Sequence, residues 1–197
     1  MAINHPPVWR IKVVLVNTSP MVWRRFDTYA TVTLSQLHYF IQGTMGWELA
    51  HLFSFHDKLG RQVTNDSSTL ADVCRIGDTL CYIYDFGDNW EHLVTIEKEM
   101  RIRPGVIYPR CVAGKNACPP EDCGGSWRYA DMLITLAGRW NARRRELIEW
   151  LGAHSIPSSL SWMRPSSAWL SMPKLRGTKL VALLFRRSIK GYHSRPR

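Results

Sequence analysis

The stretch from Leu80 to Glu97, LCYIYDFGDNWEHLVTIE, constrains the fold more than any other part of the chain. Its first half sets Leu80, Tyr82 and Tyr84 on one side of an extended backbone and Cys81, Ile83 and Asp85 on the other, the period-two pattern of a strand. Gly87, Asp88 and Asn89 are residues that tolerate positive φ or bond their own backbone, so the chain reverses between Phe86 and Trp90. The return strand alternates Trp90, His92, Val94 and Ile96 against Glu91, Leu93, Thr95 and Glu97. A hairpin follows, and its mouth is unusually polar: Asp85, Asp88, Glu91 and His92 gather around Tyr84, Phe86 and Trp90.

The remaining pattern builds a layer around this hairpin. Val8 to Val16 alternates Trp9, Ile11, Val13 and Leu15 with Arg10, Lys12, Val14 and Val16, which predicts a strand with one buried face. Asn17 to Pro20 is a turn, and Met21 to Asp27 returns as a second strand. Thr33 is placed to cap a helix whose Leu34, Leu37, Ile41 and Met45 recur at helical spacing, with Gly46 as its stop. His51 to His56 alternates again and predicts a third strand, turned by Asp57 to Gly60. This order predicts an α+β fold: a mixed, mainly antiparallel sheet with a helix packed across it, similar to a β-grasp. Between Lys98 and Gly125, eight Pro and Gly residues predict a structured loop without long regular elements. Two helices then close the domain. One is capped by Ser126 and runs from Trp127 to Ala137; the other is capped by Asn141 and carries Leu147, Ile148 and Leu151.

Composition narrows the class. The 197 residues are 45% hydrophobic with nine Trp, enough for one domain with a sizeable core. Nothing resembles a signal peptide, and Leu180 to Phe185 is too short to span a bilayer, so the expectation is a cytoplasmic protein without membrane partners. Five cysteines in that setting favour free thiols or metal ligands over disulfides. The net charge of +10 is uneven: from Ser155 onward there are nine basic and no acidic residues, leaving 17 basic and 16 acidic before it. The domain is therefore placed at residues 1–154 and a poorly packed basic tail at 155–197.

Three constellations could carry chemistry. Asp85, Asp88 and Glu91, with His92, could offer oxygen and nitrogen ligands to a hard cation, although the spacing is not that of a calcium loop. The plainer reading has Asp85 and Asp88 serving the turn's own amides while Glu91 and His92 bond the Pro-rich loop. Cys111, Cys118 and Cys123 could bind zinc, with His92 or His56 as fourth ligand, or could be small buried thiols. Pro119 to Gly125 leads into a helix N-terminus, where Glu121 and Asp122 would repel a phosphate. The letters DFG do not indicate a protein kinase, because neither a glycine-rich loop nor an HRD motif accompanies them.

The run YDFGDNWEH, followed by YPRCVAGKNACPPEDCGG and a helix ending in IEWLG, resembles the plasmid Ri open-reading-frame-three-like family over roughly residues 8 to 157. The resemblance implies association with plasmids or with insertion elements as a passenger protein, and no set reaction. It also implies one surface patch made from both motifs: Tyr84, Asp85, Phe86, Gly87, Asp88, Trp90, Glu91, His92, Pro120, Glu121, Asp122 and Gly125. The "TnpR" label sometimes given to such proteins suits a serine recombinase, but the opening strands show no nucleophilic Ser among catalytic Arg.

An FDPxxF-like continuation is implied after IEWLG, yet the chain reads HSIPSSLSWMRP. Synonymous codons for Ser155 to Pro165, read one frame away, yield FDPVESFVDEA, so the tail is read as a shifted frame. The leading functional expectation is a non-enzymatic binding or accessory module, with a protein or the DNA of a mobile element as partner. A metal-dependent hydrolase of phosphate esters or nucleic acid and a nucleic-acid binder working through the tail are the alternatives.

Overall fold

The computed structural model describes residues 6–152. Six strands, Val8–Leu15 (β1), Trp23–Tyr29 (β2), Phe53–His56 (β3), Thr79–Tyr84 (β4), Trp90–Met100 (β5) and Arg110–Lys115 (β6), alternate with four helices, Leu34–Met45 (α1), Leu70–Val73 (α2), Gly125–Ala137 (α3) and Ala142–Gly152 (α4). The strands form one sheet in the order β3-β4-β5-β1-β2-β6. The sheet expected to be mainly antiparallel is antiparallel at each of these pairings. The basic tail and its reading frame lie outside the described residues.

The predicted alternation is what buries one face. Trp9, Ile11, Val13 and Leu15 of β1 join Phe26 of β2, Leu80, Tyr82 and Tyr84 of β4, and Trp90, Val94 and Ile96 of β5 in a single core. Over them lies α1, held by Leu34, Leu37, Phe40, Ile41 and Met45. Its start is a capping box: Thr33 Oγ1 accepts from the Gln36 amide at 3.2 Å while Gln36 Oε1 accepts from the Thr33 amide at 3.0 Å. Gly46 ends it at φ 90°, a conformation that favours a residue without Cβ. The opposite face of the sheet is dressed with ion pairs, Arg10 with Asp27 and Arg25 with Glu97, both at 2.7 Å.

Arg24 is the exception on that strand, because it points inward and is 1% exposed. Its guanidinium donates to the carbonyls of Thr44, Trp23, Lys115 and Asn116 at 2.8 to 3.1 Å. It thereby ties the last turn of α1 to β2 and the end of β6. Carbonyl dipoles, including those at the negative end of the helix, take the place of a carboxylate.

Three elements depart from the sequence expectation. The region 98–125 contains a strand after all, because Arg110–Lys115 is free of proline and holds only one of the eight breakers, Gly114. The short helix Leu70–Val73 was not foreseen; Thr69 and Asp72 cap it reciprocally within one turn. The first of the two last helices begins at Gly125 and not after Ser126: Gly124 is its N-cap, at φ 91° and with no side-chain cap. Asn141 does cap α4, its Oδ1 accepting from the Arg144 amide at 2.8 Å.

Candidate functional site

The central hairpin pairs Tyr84 with Trp90, so Asp85 to Asn89 form its loop. Asp85 and Asn89 take the positive φ that the turn demands, at 56° and 52°. The carbonyl of Asp85 accepts from the Asn89 amide, and its Oδ1 accepts from the Gly87 amide at 2.9 Å. This satisfies the turn and leaves Oδ2 pointing away from it.

Two further segments meet this mouth. The first is Pro119 to Gly125. Asp88 Oδ2 accepts from the Gly124 amide at 2.9 Å, Tyr84 donates to Glu121 Oε1 at 3.0 Å, and Trp47 Nε1 donates to the Pro119 carbonyl at 2.9 Å. A Cβ on Gly125, whose φ is +79°, would come within 2.9 Å of the Asp88 carbonyl oxygen, so only glycine lets the two backbones approach. The second segment joins α1 to β3, and sequence reasoning did not assign it to the site. Its Glu48 amide donates to Glu121 Oε1 at 2.8 Å, its Ala50 amide to the Tyr84 oxygen at 3.1 Å, and it delivers His51. The signal was present in register: β3 pairs Phe53 with Tyr84, which sets the residues before Phe53 beside Asp85.

His51 Nε2 is the point on which the carboxylates converge. Asp122 Oδ1 stands 3.1 Å from it, Asp85 Oδ2 3.7 Å and Glu121 Oε2 3.8 Å. Asp122 approaches off the line of an N–H bond, so Nε2 is buried yet makes no hydrogen bond, and the same is true of Glu121 Oε2. Burial pushes the Glu121 carboxyl upward, against the opposing pull of the Glu48 amide, Tyr84 and His51. Tyr84 is also pushed up, by burial and then by the Glu121 charge, so its hydroxyl remains a donor. Among the described residues, no Lys or Arg forms an ion pair with Asp85, Glu121 or Asp122.

Of the residues singled out from the sequence, Tyr84, Asp85, Asp88, Glu121, Asp122 and Gly125 come together. Phe86 stands exposed at the tip beside Gly87, and Pro120 is half-buried next to the carbonyl that Trp47 holds. Trp90 lies beneath, in the core with Trp47, their ring centroids 6.0 Å apart. Two expectations are corrected. Glu91 projects from the other face of the hairpin, where Cys81 approaches it at 3.7 Å. His92 is fully buried with Nδ1 3.2 Å from the Tyr82 carbonyl, and burial lowers it to about 4, so it is a neutral core residue. The set Asp85, Asp88, Glu91 and His92 therefore has no common centre, because alternate strand positions face opposite ways.

The cysteine set does not converge either. Among the described residues, the group whose potential ligand atoms all lie within 4.8 Å of one another is His51, Asp85 and Asp122. Cys111 lies on β6 opposite Phe26, with its Sγ toward the Ala113 carbonyl. Cys118 packs on Met45 and Arg24, and Cys123 is buried before α3. All five cysteines are free, and burial raises the Cys111 thiol to about 11 and the Cys123 thiol to about 12, away from the thiolate that zinc needs. His56 bonds Ser54 and the Gly60 carbonyl instead. No helix among the described residues is long and apolar enough to cross a membrane.

The same architecture recurs elsewhere. The crystal structure of a protein of unknown function, MM3350 from Methanosarcina mazei Go1, superposes with a TM-score of 0.71 at 33% identity, covering 78% of this chain and 94% of that one. An uncharacterized protein, y4hQ, of Sinorhizobium fredii (strain NBRC 101917 / NGR234) is 33% identical over 165 residues, which is 77% of this chain and 84% of the relative. Residues 7–162 match the family described as plasmid pRiA4b ORF-3-like protein, a span that takes in every strand and helix of the sheet and the whole hairpin mouth, and the chain belongs to that family.

Proposed function

We propose that this is a non-enzymatic binding module, an accessory protein of a mobile element, whose working surface is the hairpin mouth and whose ligand is positively charged. What supports the reading is the meeting of three chain segments around His51, with three carboxylates and no Lys or Arg among the described residues to neutralise them. Asp85 and Glu121 are carboxylates drawn largely out of water and need a partner charge, and exposed Asp122 adds a third oxygen ligand at their rim. The face is wrong for DNA, whose phosphates it would repel. Binding to nucleic acid through the basic tail concerns residues outside those described, and would show itself as affinity falling steeply with salt.

A thermal-shift panel tests the reading, because a ligand that binds the folded state raises its melting point. Zinc, calcium, spermidine and an arginine-rich peptide would each be added to full-length protein and to Asp122→Lys. At least one cation should stabilise the wild type and leave the variant unmoved; no shift with any of them, or equal shifts in both, overturns the proposal. The competing hydrolase reading would now have to use His51, Asp85 and Asp122. Turnover of a chromogenic phosphodiester that disappears in Asp122→Asn would establish it in place of simple binding.

A further inference from the structure

We propose that His51, Asp85 and Asp122, backed by Glu121, form a binding site for a divalent transition-metal ion of the zinc type. The inference rests on the reading of the hairpin mouth as a cation site and names the cation. Its first support is spacing. Ligands about 2.1 Å from a tetrahedral metal stand about 3.4 Å apart. Acceptors around an ammonium nitrogen, at hydrogen-bond distances of about 2.8 Å, would stand about 4.6 Å apart. The separations from His51 Nε2, 3.1 Å to Asp122 and 3.7 Å to Asp85, lie on either side of the metal spacing and below the ammonium one, and the two carboxylate oxygens are within 4.8 Å of each other.

The second support is how each carboxylate is held. Asp85 Oδ1 takes the Gly87 amide, and Glu121 Oε1 takes the Glu48 amide and the Tyr84 hydroxyl. One oxygen of each is thus anchored, and the other is turned toward His51, the arrangement in which outer hydrogen bonds orient metal ligands. The Asp85 side chain is only 9% exposed, and among the described residues the ion-pair partner of its Oδ2 is His51. Glu121 Oε2 and His51 Nε2 are buried without a hydrogen bond. Unpaired polar atoms of that kind are destabilising unless something sits between them.

The plain alternative is a protonated His51 that neutralises the cluster by itself. An imidazolium would aim its N–H at an oxygen, whereas the Asp122 approach lies off that line and Nε2 donates to nothing. Groups facing a shared centre, and not one another, show this off-axis geometry. A nitrogen among carboxylates also selects zinc, manganese or cobalt over calcium and magnesium, which take oxygen ligands.

The test uses full-length protein made without a histidine tag and stripped with chelator. Calorimetric titration with zinc should find one ion per chain, with affinity roughly tenfold or more weaker in His51→Ala and in Asp122→Asn. Asp122 is exposed at the surface, so the second variant keeps the fold and guards against mere unfolding. Cobalt substitution should give visible ligand-field bands without sulfur-to-metal charge transfer. Absence of zinc binding, affinity unchanged in both variants, or a thiolate spectrum placing the ion on cysteines would each overturn the proposal. If zinc fails while another cation of the thermal-shift panel still binds, the metal inference alone falls; if none of the panel binds, the cation-site reading falls with it.

Discussion

At the scale of single residues, the closest approach in the site is the most sensitive. Gly125→Ala forces a left-handed backbone onto a residue with a Cβ and drives that Cβ toward the Asp88 carbonyl, so a loss of about 2 to 3 kcal/mol is expected in denaturant unfolding. Gly60→Ala is the control: φ is +75° there but nothing lies within 4 Å, so the conformational part alone, about 1 kcal/mol, should remain. Two histidines set the acid response. Burial holds His38, whose Nδ1 lies 2.7 Å from the Tyr82 hydroxyl, at about 3, and His92 at about 4. Both lie below the free value near 6.5, so the unfolded chain takes up more protons as pH drops. Stability is therefore full above pH 6.5 and falls as pH goes down through that value toward 4, by about 3 kcal/mol for each histidine. Asp57, Asp72 and Asp78, held low by bonds to Arg61, to Thr69 and to the Arg75 amide, lose their contribution only as pH falls past the ordinary carboxylate value. Melting points that stay level between pH 7 and 4 would contradict this assignment.

At the scale of elements, the site depends on a segment with no regular structure of its own. Pro119 to Gly125 is pinned chiefly by Asp88, Tyr84 and Trp47, and Asp88 also places a negative charge at the positive end of α3. Asp88→Ala should release the Gly124 amide and raise its hydrogen exchange roughly tenfold, in keeping with a lost charged hydrogen bond of about 1.5 kcal/mol, while protection in β4 and β5 is unchanged. Equal exchange in wild type and variant would show that the segment is held by other means.

The same elements explain what the sequence could disclose. Alternation in Leu80 to Glu97 revealed the hairpin, because local pattern is a property of adjacent residues, while the family resemblance implied that the PPEDCGG run joins its mouth. His51 stayed hidden. Its role comes from strand pairing across the sheet, which lies 34 positions from Asp85 and leaves no local trace. His92 misled for the opposite reason: a histidine near acids in sequence faces the core once the strand alternates. The strand Arg110–Lys115 was obscured by the breakers around it and by Gly114 within it.

For the whole molecule, residues 8–152 supply a six-stranded sheet, a helix packed across it and one continuous core. A chain ending at His154 is thus expected to keep the cooperative melting of the full protein to within a few degrees. Loss of folding on that truncation would assign residues 155–197 to the domain. The reading frame is decided by sequencing the gene: nucleotides over Ser155 to Pro165 that do not encode an acidic FDP-like segment one frame away end the frameshift explanation and favour a true basic arm.

The order β3-β4-β5-β1-β2-β6 places the first strand in the middle of the sheet, with Val8 opposite Met100 and Leu15 opposite His92. During synthesis, the hairpin of β1 and β2 therefore emerges long before the strand that completes it. Until β5 leaves the ribosome, β1 presents an unpaired apolar edge, the template on which strands of neighbouring chains add. The finished fold, with β1 covered on both sides, no longer displays that edge.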